Sequence, residues 1–365
     1  MEITEVETYT LGLPTGETFG DARASVTERF WVVVELDTDA GYRGTGWLST
    51  WRAAELFESY LRDAFADLLV GRNPFETEAV REAMRERTLY YPGELGMSAH
   101  PRAAIDVALW DLKAKAAGEP LYRFLGGDER EVPAYLSRMD AGYDREELAA
   151  VHGEYAERGF RTFKTKVGNR SPEAEARRVE TIREAVGPDA DVAVDANQSW
   201  TVAEAVRTVR ALEPRDLAWV EEPISEFDLD GHARVAERIA PPVAGGEMLY
   251  RPEQFRHLLA SGGMEIAQPD LVRAGGVTGQ WEVARLAAGH GVPFIPHIYY
   301  AVSAHLVSAA PNGRMVEYIP EYDVGGVVEN APRIEDGRVR LPDEPGHGYR
   351  IDPEAKAEYL VPSKD

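Results

Sequence analysis

The chain has 365 residues, 44% of them hydrophobic, no cysteine and a net charge of −23. The length predicts two domains, and the lack of cysteine excludes disulfides and thiolate metal sites. The acidic charge argues against nucleic acid as a partner, because phosphate binding needs a basic surface. The same charge is typical of halophilic proteins, with ordinary acidic solubility as the alternative.

The first third of the chain contains predicted strands followed by predicted helices. The strands are expected at residues 1–11, 30–36 and 42–47, and the helices at 53–69, 74–88 and 100–118. Segment 13–24, which contains glycine and proline, is predicted to be a mobile loop. This order of elements predicts an α+β domain over residues 1–127. The charged N-terminus is unlike a signal peptide and no apolar run reaches membrane length, so we expect a cytoplasmic protein without a membrane partner.

From residue 132 onward, predicted strands alternate with predicted helices, which indicates a parallel sheet. Apolar runs end in charged residues spaced 20 to 29 residues apart, about one repeat of a (β/α)8 barrel. Because the carboxyl ends of barrel strands form one active face, we expect these residues around one mouth. The barrel is predicted over residues 128–325, with residues 326–365 returning to the first domain. The charged ends are Lys164, Lys166, Asp195, Glu221, Glu247, Asp270, His297 and Glu317.

Lysines are more informative than carboxylates in this chain. Asp and Glu make up 63 of 365 residues, so one carboxylate after a strand is more often a helix N-cap than a ligand. Lysine occurs only six times, and Lys164 and Lys166 point to the same side of a strand. Two adjacent ammonium groups repel each other, which favours a functional role for the pair.

Asp195, Glu221 and Glu247 end consecutive predicted strands and form a predicted metal site. Three carboxylates with room for water or substrate suit Mg²⁺. No histidine lies among them, which disfavours zinc. Such a metal would bind a substrate carboxylate and neutralise the charge that develops on it.

Lys166 and His297 are predicted to flank this site, as two bases for proton abstraction at an α-carbon would. The metal and Lys164 are expected to lower the pKa of Lys166. Asp270 is expected to hold the His297 ring and raise its pKa. Glu317, if protonated, could donate a hydrogen bond to the substrate carboxylate. The alternative for His297 is a buried structural histidine.

Seven motifs together resemble the enolase superfamily and, within it, the mandelate racemase subgroup. The resemblance implies a modified TIM barrel, (β/α)7β, with an N-terminal α+β capping domain completed by the C-terminal segment. It also implies one Mg²⁺, held by the three carboxylates, and α-proton abstraction from a carboxylate substrate. Segments 104–113 and 125–127 resemble the family's domain junction. The motifs are Lys164-Thr-Lys166, Asp195-Ala-Asn197, Glu221-Glu-Pro223, Gly246-Glu247, Gln268-Pro-Asp270, Pro296-His297 and Glu317.

Further roles follow from the resemblance. It makes Lys166 the base, Lys164 a contact to the substrate carboxylate, His297 with Asp270 a dyad, and Glu317 an electrophilic acid. Asn197 is an expected metal-site or substrate contact, and Trp47, where many relatives have Glu, an expected substrate contact. Segments 13–24 and 47–51 are expected to close over the mouth. The composition favours a haloarchaeal member, and a homo-oligomer from dimer to octamer is expected.

We expect a hydro-lyase that dehydrates a small acid sugar, an aldonate, to a 2-keto-3-deoxy acid. Lys166 or His297 would take the C2 proton, and His297 would protonate the leaving 3-hydroxyl. The alternative is a racemase or epimerase of a 2-hydroxy acid, in which the two residues exchange one proton. A metal-dependent hydrolase would give no role to the paired lysines, and a non-catalytic scaffold would tolerate Lys166→Ala.

Overall fold

A three-stranded antiparallel sheet opens the chain in the computed structural model, which describes residues 1–20, 25–91 and 93–362. Its strands are β1 (Ile3–Gly20), β2 (Ser25–Thr38) and β3 (Arg43–Thr50), and β2 lies in the middle. Val32, Val34 and Leu36 of β2 are fully buried. Trp31 and Val33, which alternate with them and point to the opposite face, are buried as well, so both faces of β2 are covered.

The prediction of a loop at residues 13–24 is wrong for residues 13–20, which belong to strand β1. Strand β1 continues to Gly20: Pro14 pairs with Glu28, the register then shifts, and Phe19 pairs with Val26. A proline is tolerated there because β1 is the edge strand, where a missing N–H need not remove a ladder bond. Residues 21–24 lie outside the described residues.

Helices cover one face of this sheet. The helix predicted at 53–69 is present in three pieces, because a π-helical stretch, Tyr60–Phe65, interrupts it. A short 3-10 turn, Gly96–Ser98, leads into the longest helix. The α-helices are α1 (Ala54–Ser59), α2 (Ala66–Leu69), α3 (Thr77–Thr88), α4 (Ala99–Ala117) and α5 (Leu121–Phe124).

Helix α4 lies in direct backbone contact with β3. A Cβ atom added at Gly46 would lie 2.0 Å from the backbone oxygen of Ala104, and one at Gly44 would lie 2.4 Å from that of Ala108. Glycine permits this approach because it has no Cβ. The contact fixes the position of α4, whose first turn contains His100.

The second sheet is a ring of parallel strands. Neighbours in the sequence pair from β4 to β9, and β10 pairs with β4. In the apolar run before His297, isolated parallel bridges join Phe294 to Ala267 and Gly313, and a further bridge joins His297 to Asp270. The predicted α/β barrel is confirmed. Its strands are β4 (Glu131–Ser137), β5 (Thr162–Lys166), β6 (Asp191–Asp195), β7 (Leu217–Glu221), β8 (Val243–Gly245), β9 (Ile266–Ala267) and β10 (Val316–Tyr318).

Helices follow the barrel strands and pack against one another in chain order. Thr201 caps α8: its hydroxyl accepts from the Glu204 N–H, and the Glu204 carboxylate accepts from the Thr201 N–H. Among the described helices, none combines the length and apolar character that a membrane crossing needs. The helices are α6 (Arg145–Glu157), α7 (Pro172–Val186), α8 (Val202–Leu212), α9 (Leu229–Ala236), α10 (Pro252–Ser261), α11 (Gly276–Gly289) and α12 (Tyr300–Ala309).

The C-terminal segment contacts the barrel first and the opening sheet second. Strands β12 and β13 form a hairpin whose second strand pairs antiparallel with the start of β4. Further on, the Val361 N–H donates to the Thr10 carbonyl at 2.9 Å. The domain limits 1–127, 128–325 and 326–365 stay predictions. The segment contains β11 (Val328–Glu329), β12 (Arg333–Glu335), β13 (Arg338–Arg340), β14 (Arg350–Ile351) and α13 (Pro353–Tyr359).

Candidate active site

The register of the parallel strands brings the charged residues side by side. In the ladder, Lys166 pairs with Asp195, and Asp195 pairs with Glu221. Glu247 follows β8 by two residues, after Gly246, whose φ of 117° favours glycine. Residues that are evenly spaced in the sequence therefore lie close together in space, because the strands that carry them end at the same edge of the barrel.

Asp195, Glu221 and Glu247 form a buried cluster of carboxylates. One oxygen from each lies within 4.8 Å of those from the other two. Burial and the neighbouring carboxylates raise the pKa of Glu221 to about 7, against the opposing charge of Lys164. Three hard oxygen ligands that repel one another fit a divalent cation such as Mg²⁺.

The two lysines neutralise this cluster. The Lys166 ammonium lies 2.6 Å from Asp195 Oδ2, and the Lys164 ammonium lies 2.5 Å from Glu221 Oε1 and 2.7 Å from Glu317 Oε1. Burial alone would lower the pKa of Lys166, but the Asp195 carboxylate outweighs it and raises the pKa above its usual value. Lys166 is here itself the cation that compensates Asp195, and the lowering expected from a bound metal and Lys164 stays a prediction.

His297 stands between three carboxylates. Its Nδ1 is 3.0 Å from Asp270 Oδ2, and its Nε2 is 3.2 Å from Glu247 Oε2 and 3.9 Å from Glu317 Oε2. Burial lowers the pKa of His297 because it disfavours the charged imidazolium. The negative charges of Glu247 and Glu317 and the hydrogen bond to Asp270 outweigh burial and raise this pKa to about 9. The Asp270 carboxylate also accepts from the N–H groups of Val272 and Arg273, each at 2.9 Å, which fixes its orientation.

Glu317 accepts from or contacts cations on several sides. Burial favours its neutral form, but Lys164, His297 and Lys166 outweigh burial and hold its pKa well below the usual range. Glu317 Oε2 also accepts from the Ile298 N–H at 3.0 Å. The carboxylate contacts both Lys164 and His297, and its role as an electrophilic acid stays a prediction.

Sequence reasoning missed several buried partners of these residues. Asp140 accepts from the Lys166 N–H at 3.0 Å and pairs with Arg178 at 2.9 Å, and it follows β4 as the other charged residues follow their strands. The Glu226 carboxylate accepts from the N–H of Gly246 and so holds the turn before Glu247. A search for carboxylates after every strand would have found Asp140, whereas Glu226 lies in a loop without a distinguishing pattern.

A cavity of about 730 Å³ opens over these groups. Lys166, Asn197, Glu247, Asp270 and His297 line it from the strand ends. Asn197 also donates to Asp195, through its N–H at 2.8 Å and its Nδ2 at 3.2 Å. The segment after β3 and the start of α4 line it from the capping side, with Ser49, Thr50, Trp51, Arg52 and His100.

Trp47 does not line this cavity. It is 3% exposed, stacks on Trp31 at 5.2 Å and meets the edge of His347 at 5.6 Å. Trp51 is on the wall instead, and its indole N–H donates to the Tyr322 hydroxyl at 2.5 Å. Of segment 47–51, residues 49–51 therefore face the cavity, and Trp47 packs inside the capping domain.

Two family models match the chain. The model described as the N-terminal domain of mandelate racemase / muconate lactonizing enzyme matches residues 6–126. The model described as enolase C-terminal domain-like matches residues 146–355. The second match includes the eight charged strand-end residues from Lys164 to Glu317.

Individual relatives match nearly the whole chain. An arabinonate dehydratase of Saccharolobus solfataricus is 32% identical over 332 residues, 88% of each chain. A 3,6-anhydro-α-L-galactonate cycloisomerase of Streptomyces coelicolor is 30% identical over 357 residues, 96% of this chain and 97% of that one. The crystal structure of a racemase from Streptomyces coelicolor A3(2) with bound magnesium has a TM-score of 0.94 at 29% identity, over 98% of this chain and 100% of that one.

Proposed function

The chain belongs to the mandelate racemase / muconate lactonizing enzyme family of the enolase superfamily, and from that membership we propose that it dehydrates an aldonate to a 2-keto-3-deoxy acid. The observation that carries the proposal is the position of Lys166 and His297 on one cavity, beside a buried carboxylate cluster. The arabinonate dehydratase relative supports an acid-sugar substrate.

Magnesium is the cofactor of this family, as the magnesium in the Streptomyces coelicolor racemase indicates. Asp195, Glu221 and Glu247 are the residues that would hold it, because their oxygens cluster and are buried. When bound, Mg²⁺ neutralises the negative charge that develops on the substrate carboxylate as the C2 proton leaves. Lys164, already paired with Glu221 and Glu317, adds positive charge at the same place.

The proton transfers fall to Lys166 and His297. The C2–H bond breaks, its electron pair forms the C2=C3 bond, and the C3–O bond breaks as the hydroxyl leaves. His297 suits the acid, because a pKa of about 9 keeps it protonated at neutral pH and able to complete the departing water. Lys166 suits the base once its pairing with Asp195 weakens, since only the neutral amine accepts a proton. The enol then takes a proton at C3 and becomes the 2-keto acid.

A panel of aldonates tests this proposal directly. With Mg²⁺ present, at least one acid should give a 2-keto-3-deoxy acid, and Lys166→Ala should abolish its formation. Running the reaction in D₂O distinguishes the alternative. Deuterium at C2 of recovered substrate without any keto acid would contradict dehydration and favour a racemase or epimerase.

That alternative, exchange of one proton at C2 of a 2-hydroxy acid, is supported by the same pair of residues. Lys166 and His297 reach the cavity from different strand ends, so each could serve one face of the carbon. A metal-dependent hydrolase has weaker support, because it leaves Lys164 and Lys166 without a role.

Broader properties are also proposals. The 63 acidic against 40 basic residues support a protein adapted to a salt-rich medium, and a haloarchaeal source is one origin that this suggests. A homo-oligomer, a cytoplasmic location and the absence of nucleic acid and membrane partners stay predictions. The proposal that the substrate is a small acid sugar is supported by the names of the relatives.

A further inference from the structure

Several buried polar atoms without a protein partner lie on the wall of the active-site cavity. Among the described residues, they include Ser49 Oγ and both ring nitrogens of His100 on the capping side, and Asn197 Oδ1 and Arg273 Nε on the barrel side. Buried polar groups are nearly always hydrogen-bonded in native proteins. Unpaired polar groups of this kind on a cavity wall are therefore suited to hydrogen-bond a polar ligand.

His100 is held rigidly in this wall. Its ring stacks on Phe57 at 5.4 Å and 8° and on Tyr250 at 6.2 Å and 14°. Phe57 belongs to α1, and Tyr250 precedes α10 of the barrel. The ring is thus clamped between the two parts of the protein, and its free nitrogens cannot turn away to find another partner.

The imidazole of His100 is neutral. Burial and the nearby Arg273 guanidinium lower its pKa to about 4, with Asp270 opposing them. A neutral imidazole offers one donor and one acceptor. A hydroxyl group needs that pair, whereas a carboxylate needs two donors.

The shape of the cavity determines which hydroxyl group of a substrate can reach His100. In the dehydration proposed above, the carboxylate and C2 lie at the strand ends, between Lys166 and His297. The rest of the substrate must then extend toward the capping side, which Ser49, Arg52 and His100 line. The carbons beyond C3 of an acid sugar carry hydroxyl groups.

We propose that His100 is a specificity-determining residue that hydrogen-bonds a hydroxyl group of the sugar acid beyond C3, with Ser49 beside it. This inference rests on the proposed function. It makes the first turn of α4, and not only the segment after β3, part of the substrate site. It predicts that the enzyme prefers longer polyhydroxy acids over short hydroxy acids.

The test compares substrate length with the side chain at position 100. Aldonates of four, five and six carbons, with the same configuration at C2 and C3, are assayed with wild type, His100→Phe and His100→Gln. Phenylalanine keeps the stacked ring but removes both nitrogens, and it leaves a buried hydroxyl unpaired. We expect the kcat/KM ratio of the six-carbon to the four-carbon acid to fall roughly tenfold or more, mainly through KM. Glutamine, which restores a donor and an acceptor, should recover part of it.

Dissociation constants for the same acids, measured calorimetrically with Mg²⁺, separate the two proposals. If His100→Phe weakens the binding and conversion of all three acids equally, or of none, the role of His100 is overturned and the proposed dehydration is unaffected. If wild type converts no acid but His100→Phe weakens binding with increasing length, the dehydration fails and the role of His100 stands. If no acid is converted or bound, both fail. Should His100→Phe not fold, His100→Leu, which also removes both ring nitrogens, carries the comparison.

Discussion

The charge of His297 depends on its neighbours, and Asp270 is the one that also orients the ring. The Asp270 carboxylate lies 3.0 Å from Nδ1 and is fixed by two backbone N–H groups. We expect Asp270→Asn and His297→Asn each to lower kcat by about 10²–10⁴-fold, because a positioned acid contributes that much. The double variant should be little worse than the worse single one, since the two residues act as a unit.

Steady-state kinetics and Mg²⁺ titration of the three variants check this expectation. The exposed pair His257 and Asp230, 3.4 Å apart, supplies the control, and His257→Asn should leave kcat unchanged. If the fold-decrease of kcat in the double variant equals the product of the two single decreases, Asp270 and His297 act separately. Loss of Mg²⁺ binding in Asp270→Asn would place Asp270 among the metal ligands.

His305 couples protonation to stability. It is fully buried, accepts from the Tyr122 N–H at Nδ1 and contacts the His347 carbonyl through Nε2, both at 3.2 Å. Burial and His347 lower its pKa from 6.5 to about 3. A lowered pKa in the folded state means that the stability from His305 is complete above pH 6.5 and is lost as the pH falls toward 3.

Equilibrium unfolding between pH 7 and 4 measures this effect. One such histidine contributes a slope of up to about 1.4 kcal/mol per pH unit, so His305→Gln should flatten the acid limb relative to wild type. The exposed His290 is the matched control, and His290→Gln should keep the wild-type slope. An unchanged slope in His305→Gln would mean that other groups dominate acid unfolding.

The strand-end residues could be predicted from the sequence because each follows an apolar run at a regular interval. Their ionisation could not, since it depends on distances across strands. Lys164 and His297, which lie beside Glu317, lower its pKa, and no residue near Glu317 in the sequence indicates that. His100 was missed because it begins a helix in the other domain, and only the folded chain brings it to the cavity.

At the scale of elements, the contact between α4 and β3 depends on two small residues. An added Cβ at Gly46 would lie 2.0 Å from the Ala104 oxygen, so Gly46→Ala must push the helix away. Overpacking of this kind costs about 1–3 kcal/mol or more. Because α4 carries His100, we also expect a raised KM for the substrate.

Thermal unfolding and kinetics of Gly46→Ala test both effects. Gly142 is the control, because a Cβ there meets nothing within 4 Å, and Gly142→Ala should be close to wild type. A normal Tm in Gly46→Ala would mean that α4 shifts at little cost. The elements themselves were largely predictable, whereas the extension of β1 through Pro14 was not, because an edge position is a property of the assembled sheet.

At the scale of the molecule, the net charge of −23 should make stability depend on salt. Self-repulsion destabilises a compact state, and salt near 1 M shortens the Debye length to about 3 Å. We therefore expect Tm and activity to rise with KCl concentration. Sucrose of equal osmolality is the control, because it does not screen charge. Equal stability in dilute buffer would contradict adaptation to salt.

The tail that crosses from the barrel to the opening sheet has a consequence for biosynthesis. Lys356 pairs with Glu7 across 349 residues of chain at 2.7 Å, and Val361 donates to Thr10 on the edge strand β1. While the ribosome is still making the barrel, that edge has no partner, and an unpaired edge invites wrong association. The nascent chain therefore completes its first sheet only after the barrel has been synthesised, and a truncated product would retain an open, aggregation-prone edge.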